Sequence, residues 1–243
     1  MRNVWTIASR EFRHYFTSPI AYAVAAAIFL ILGLIFYSNL GSDLINQTPP
    51  DPNSSLSPLT TLLLFGMPAI TMRLISDEQR SGTIELLLTS PVRDWEMVIG
   101  KWLGAMGFGV IILVVTWFYP IILNAITSPG IDQGTLVSAY LSMLLMVSAM
   151  VAIGVMASAI FANAIAAYFT TLGILLVLWI MGLAAQVTSG GLSTLFNYLD
   201  FSQHFFNTGY SGVIDTRDLV YYISLTALAL FLGTRFVEAR RWK

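Results

Sequence analysis

Residues 135–160 read TLVSAYLSMLLMVSAMVAIGVMASAI, and no residue in that stretch carries a charge. A helix needs about 20 mostly apolar residues to cross the hydrocarbon core of a bilayer. This segment is long enough, and it has no polar face to offer to water, so it reads as a membrane span. Comparable apolar stretches lie on both sides of it: 165–185 and 219–236 after it, and 97–123, 59–75 and 20–40 before it. The 243 residues are 56% hydrophobic and 10% charged, with a mean hydropathy of +0.75. Soluble domains carry about 25% charged residues, so water is not the main solvent here. The expectation is an all-α membrane protein, a single transmembrane domain over residues 1–243 with six spans.

The punctuation between the spans supports these limits. Ser18-Pro19 and Ser57-Pro58 each place a capping hydroxyl before a proline suited to the first helical turn. Pro68 predicts a kink in the second span, and Pro120 lies near the outer end of the third. The first apolar run follows a long charged segment and lacks a clear small-residue cleavage site, so it reads as a retained span. Within residues 2–16, Trp5, Ala8, Phe12 and Phe16 recur at helical spacing between Arg2, Arg10 and Arg13. That pattern predicts an amphipathic helix in the membrane interface. Between the fifth and sixth spans, Leu192, Leu195, Phe196, Leu199, Phe205 and Phe206 predict one or two short helices in an external segment.

Charge fixes the expected orientation. Of the 12 Lys and Arg, all but Arg217 fall on the side that holds both termini and the 2–3 and 4–5 connections. Lys and Arg accumulate in cytoplasmic loops, so both termini are expected in the cytoplasm. A different number of spans would have scattered these charges.

Several function classes are excluded or disfavoured. There are no cysteines, hence no disulfides, thiolate metal sites or Cys nucleophiles. Gly100-Lys101 lacks the rest of a P-loop, so ATP is not bound in that way. His14 and His204 show no partner at metal-ligand spacing. The net charge of −1 gives no field for nucleic acid. No acid falls at a span midplane, which argues against a proton pump or ion-coupled carrier. Lys101 and Arg73 sit at inner span ends, where they are expected to snorkel. Trp5, Trp95, Trp102 and Trp242 are expected to anchor the inner boundary. Gly100 and Gly104 form a small-residue pair that suits either packing within the chain or a dimer seam. Ser142, Ser148, Ser158, Thr170 and Thr171 could form a polar path, although helix packing is the preferred reading.

The connection between spans 2 and 3 is the informative one: SDEQRSGTIELLLTSPVRDWE, residues 76–96. Gly82 can stop the helix leaving span 2, because glycine tolerates positive φ. Thr83 can cap a new short helix, with Glu85 favouring its positive end. Ile84, Leu86, Leu87 and Leu88 make that helix unusually apolar before Ser90-Pro91 ends it. An apolar helix flanked by charge on the cytoplasmic face is suited to docking another protein.

This loop resembles the first cytoplasmic loop of ABC-2 type permeases, where it forms the coupling helix that sits on an ATPase subunit. The opening REFRHYFTSPI (10–20) resembles the amphipathic connecting helix of that family, and PAITMR (68–73) also fits. So do residues 212–219 and the end EARRW (238–242). Together these resemble the gliding-motility-associated permeases of the GldF kind.

The resemblance implies that Glu78, Gly82, Thr83, Glu85, Leu87 and Pro91 shape or contact an ATPase, with Asn163 in the 4–5 connection as a second cytoplasmic contact. It implies a P-loop ATPase partner that carries ATP and Mg, a second permease subunit, identical or different, and membrane lipid around both. An external auxiliary protein is a further partner it allows. It also implies a bacterial cytoplasmic (inner) membrane location, with no cofactor and no catalysis on this chain. The expected function is therefore the permease of an exporter-type ATP-binding-cassette transporter. The alternative is a membrane anchor or mechanical transmitter that relays ATPase cycles to an external partner without transport.

Overall fold

Proline and small residues set where the helices break. The computed structural model describes residues 2–46, 53–83, 92–127 and 130–240, which are helical with no strand among them. Helix α1 (Arg2–Tyr15) precedes α2 (Pro19–Asn46), which starts at the expected proline. Helix α3 (Asn53–Thr71) contains Pro58 and Pro68. Past Pro68 the chain loosens into turns over residues 72–75 and resumes as α4 (Ser76–Arg80). Helix α5 (Asp94–Thr116) gives way at Trp117 to α6 (Phe118–Ile126). The break falls where Pro120 lacks an N–H for the Thr116 carbonyl and its ring crowds that oxygen.

Helix α7 (Gln133–Ile160) is the uninterrupted stretch that decides the fold. Its start is capped by Asp132, whose Oδ1 accepts from the Gly134 and Thr135 amides. Helices α8 (Ala164–Trp179) and α9 (Met181–Val187) form a fifth span broken at Ile180. Then come α10 (Gly191–Leu199), a π-helical turn (Phe205–Gly209) and α11 (Thr216–Arg240). Among the described residues, six stretches are long and apolar enough to cross a membrane: Pro19–Asp43, Leu56–Arg80, Asp94–Ile126, Gln133–Ile160, Ala164–Val187 and Thr216–Arg240.

Helix α7 is the centre of the bundle. Of its most apolar window, 78% is buried, against 22% for the first span and 17% for the fifth. Those two spans expose Leu30, Leu34, Phe169 and Val177 at the periphery. Small residues let the helices close on α7. A Cβ on Gly154 would run into the Thr71 hydroxyl of α3, and one on Gly109 would meet Val147 at 2.9 Å. The Ser and Thr of the spans serve this packing. Ser148 and Thr226 share a hydrogen bond of 3.3 Å between α7 and α11, and Thr171 donates to the Ala167 carbonyl.

The Gly100–Gly104 pair packs within the chain. Helix α1 lies along it, with Ile7 against Gly100, and with Glu11 Cβ and the Ala8 carbonyl against Gly104. Gly107 extends the groove to take the Phe12 ring. Trp5 stays 74% exposed, as an interfacial helix requires, but the buried face is Ala8, Glu11 and Tyr15. Trp102 is not a boundary anchor, because its indole donates to the Ser148 carbonyl of α7 at 3.2 Å.

At the other end of the bundle, the 5–6 segment folds back onto the spans as short helices. The Phe201 amide donates to the Leu178 carbonyl, left unpaired by the break in the fifth span. Tyr221 and Tyr222 donate to the Leu199 and Phe201 carbonyls, and Ser138 of α7 donates to the Gly209 carbonyl. His204 does have a partner. Its Nδ1 lies 2.5 Å from the Asp218 carboxylate, Nε2 donates to the Tyr198 carbonyl, and its ring stacks on Tyr221.

The docking of α1 is testable in this cysteine-free chain. The Asn3 amide donates to Glu96 at 3.2 Å, so paired cysteines at these two positions are expected to cross-link with a short bifunctional maleimide. Gly104→Leu is expected to abolish the cross-link on a gel, because it fills the groove that holds α1.

Candidate functional site

The end of the bundle that carries both chain termini is built around α4. Two sets of contacts hold this five-residue helix. On the α7 side, the Ser158 hydroxyl accepts from the Ile75 and Ser76 amides at 2.9 and 3.0 Å and donates to the Met72 carbonyl. That single side chain satisfies backbone groups freed by the turns after Pro68. The Gln79 amide donates to the Ala159 carbonyl at 2.8 Å, at the last turn of α7. Arg240, at the end of α11, donates to the Ile160 carbonyl. The 2–3 connection, the 4–5 connection and the end of the last span therefore meet.

On the opposite side, α4 is held by charge. Lys101 of α5, with a side chain only 1% exposed, donates to Glu11 of α1 at 3.0 Å and to Glu78 of α4 at 2.8 Å. Arg10 adds ion pairs to Glu11 at 3.0 Å and Glu78 at 3.5 Å. Lys101 thus does not snorkel. It is buried and neutralised by two carboxylates that come from distant parts of the sequence. Burial works against the Glu11 carboxylate, but the charge and hydrogen bond of Lys101, with help from Arg10, hold its pKa below the ordinary 4.5.

The site residues read from the sequence take the following positions. Glu78 points into the ion-pair node, with its second oxygen buried and without a hydrogen-bond partner among the described residues. The side-chain oxygen of Gln79 is buried in the same unpaired state. Gly82 has φ +73°, the left-handed conformation expected of a helix stop. Thr83 turns its hydroxyl back to the Glu78 carbonyl and Ser81. Glu85, Leu87 and Pro91, and with them the expected coupling helix, lie outside the described residues, as does Trp242. Asn163 is exposed and caps α8, its Oδ1 accepting from the Ile165 amide at 2.9 Å. Glu78 and Asn163 thus lie on neighbouring connections at one end of the bundle. Glu11, Ser158 and Gln79 were missed as site residues. Their partners lie many tens of residues away, beyond the reach of any local pattern. Among the described residues, no cluster of His, Cys, Asp or Glu is arranged to hold a metal.

A family model described as "ABC-2 family transporter protein" matches residues 5–237, so the chain belongs to the ABC-2 family. No curated protein matches it. With its six apolar helices, the chain is a multi-pass membrane protein and the permease subunit of an ABC transporter. Permeases of this family are membrane components, generally not themselves catalytic, and work in general as dimers with an ATPase.

Three substitutions test the clamps on α4. Lys101→Met leaves two carboxylates in a buried place with only the exposed Arg10 beside them, so the thermal midpoint in detergent is expected to drop by the equivalent of about 3–5 kcal/mol. Glu11→Gln should cost less and also flatten the acid limb of stability. The Glu11 pKa is lowered on folding, so its contribution is present above 4.5 and lost as pH falls through the lower folded value. The wild type should therefore lose more stability than Glu11→Gln between pH 5 and pH 3, read by thermal melts at fixed ionic strength. Ser158→Ala orphans two buried amides and is expected to cost about 1–3 kcal/mol for each.

Proposed function

We propose that this chain is an exporter-type permease whose 76–96 loop receives the stroke of a separate P-loop ATPase. The observation that carries this reading is the double clamp on α4. Force applied to the following loop reaches α5 and α1 through Lys101, and α7 through Ser158 and Gln79. A short rigid lever tied to the central span is what coupling requires. The buried, unpaired oxygens of Glu78 and Gln79 at the root of the loop call for donors from the rest of the loop or from a partner.

In this reading the clustered Lys and Arg put both termini in the cytoplasm, and the resemblance to ABC-2 permeases puts the chain in the bacterial inner membrane. Glu85, Leu87 and Pro91 then lie on the coupling helix, and Asn163 lies at a second contact. ATP and Mg are held by the partner, and a second permease subunit, identical or different, completes the membrane unit. The likeness of the loop and of both chain ends to GldF-type permeases makes an envelope process a fitting context, with an external auxiliary protein above the 5–6 segment.

A second reading is favoured by one observation. Of the five residues read as a possible polar path, Ser142, Ser148, Ser158 and Thr171 are committed to close packing or hydrogen bonds between and within helices, which leaves Thr170 too isolated to form a track. A mechanical transmitter needs no track, because it passes the stroke through the bundle to the external segment.

The first test is co-purification in mild detergent. A P-loop ATPase is expected with the wild type and is expected to be lost with Glu85→Arg. A folded wild-type chain that brings down no ATPase overturns the reading. Single cysteines placed along the spans then separate the alternatives. Transport predicts ATP-dependent labelling by a water-soluble maleimide along the spans, whereas a transmitter predicts changes confined to the 5–6 segment.

A further inference from the structure

A cavity of about 550 Å³ opens beside the ion-pair node, between α1, the start of α2, the end of α3 and α4. Its size falls in the usual range of small-ligand sites. Four cationic side chains line it, Arg10, Arg13, Arg73 and Lys101, against three acids, Glu11, Asp77 and Glu78. The node accounts for Arg10, Lys101, Glu11 and Glu78. Arg13 and Arg73 have no ion pair or side-chain hydrogen bond among the described residues, so two guanidinium groups, one from α1 and one from the turns before α4, share one cavity without anionic partners of their own. Asp77 leaves an excess of positive charge.

The remainder of the wall is of another kind. Ile20, Ala21, Ala69, Ile70 and Leu74 come from the first turn of span 1 and the inner end of span 2. The cavity therefore joins an apolar floor at the level where two spans leave the bilayer to a cationic rim under the interfacial helix. Guanidinium pairs bind phosphate oxygens through parallel, charge-assisted hydrogen bonds. Apolar surface at that depth suits the ester and upper acyl region of a lipid.

We propose that this cavity is a binding site for a phosphate ester, held by Arg13 and Arg73, with the apolar floor favouring a phospholipid headgroup over free phosphate. The cavity shares Glu78 with the root of the 2–3 loop, but it needs neither nucleotide nor a partner to fill. A bound headgroup would brace α1 against α3 and α4 next to the Lys101 node.

Native mass spectrometry of the intact detergent-purified chain tests this, with phosphatidylglycerol, phosphatidylethanolamine and phosphatidylcholine titrated in turn. The wild type is expected to retain one phospholipid after delipidation. The double variant Arg13→Gln/Arg73→Gln is expected to lose about tenfold in affinity, the scale set by removing charge-assisted hydrogen bonds. Arg235→Gln, an exposed cation on α11 away from the cavity, should bind as the wild type does. Ala69→Trp fills the floor without changing charge and should also displace the lipid, which covers the case of a double variant that folds poorly. Competition by millimolar inorganic phosphate would assign the same site to a soluble phosphate; retention of lipid in its presence assigns the lipid. Equal binding by the wild type, the double variant and the Trp variant, or no specific binding of either ligand to folded wild type, overturns the proposal. These readouts need no ATPase, so they succeed or fail independently of the coupling reading.

Discussion

A cation buried next to a membrane is costly unless it is fully paired, and Lys101 is paired twice. That requirement organises the whole terminal end of the bundle. It draws Glu11 inward from a helix that would otherwise only float in the interface, and it fixes Glu78 at the root of the 2–3 loop. Helix α1 can come close enough to be drawn in because Gly100, Gly104 and Gly107 leave a groove in α5. Packing between helices in lipid gains nothing from expulsion of water, so close backbone approach and polar pairing must supply it. Both devices operate here within a single turn or two of one helix.

The same economy of means holds α4 on its other side. Ser158 stands at the end of the central span and satisfies the backbone freed by the turns over residues 72–75. A break in a helix leaves orphaned groups, and the neighbouring helix supplies the partner. The irregular turn between α3 and α4 is therefore a rigid joint. Its hydrogen bonds lie in buried surroundings, where they are strong and where leaving them unmade costs most. The ion pairs and the serine hub act on one five-residue helix from two directions, and this separates the loop root from an ordinary solvated connection.

Much of the architecture was legible in the sequence because each signal is local. Apolar runs such as 135–160 identify themselves by length, Pro120 marks a break by its chemistry, and Gly82 adopts the positive φ its position suggested, whereas helix α3 continues through Pro68 to Thr71. What was not legible depended on partners far along the chain. The Trp5, Ala8, Phe12 and Phe16 pattern predicted the helix but mixed its faces: Trp5 and Phe16 are exposed, Ala8 and Phe12 pack on α5, and nothing in the pattern pointed to the buried Glu11. Lys101 resembles any lysine at a span end until Glu11, 90 residues earlier, is brought to it. His204 finds Asp218 only once the 5–6 segment has folded back. Trp102 has an amphipathic ring suited to the interface, yet its N–H is taken up by the Ser148 carbonyl.

The central position of α7 bears on how the chain is made. An uncharged span of this length is stable in lipid by itself, so it can leave the insertion machinery as soon as it is synthesised. Its native neighbours include α11, which is translated after it. Until then, the surface around Ser148 and Met156 that ends up enclosed must lie against acyl chains. Ribosome stalling, or a stop codon anywhere in the fifth span, would leave a membrane-inserted but unfinished protein with a seam of small and hydroxylated residues facing lipid. Such a seam is a natural mark for membrane quality-control proteases, and α11 is what conceals it.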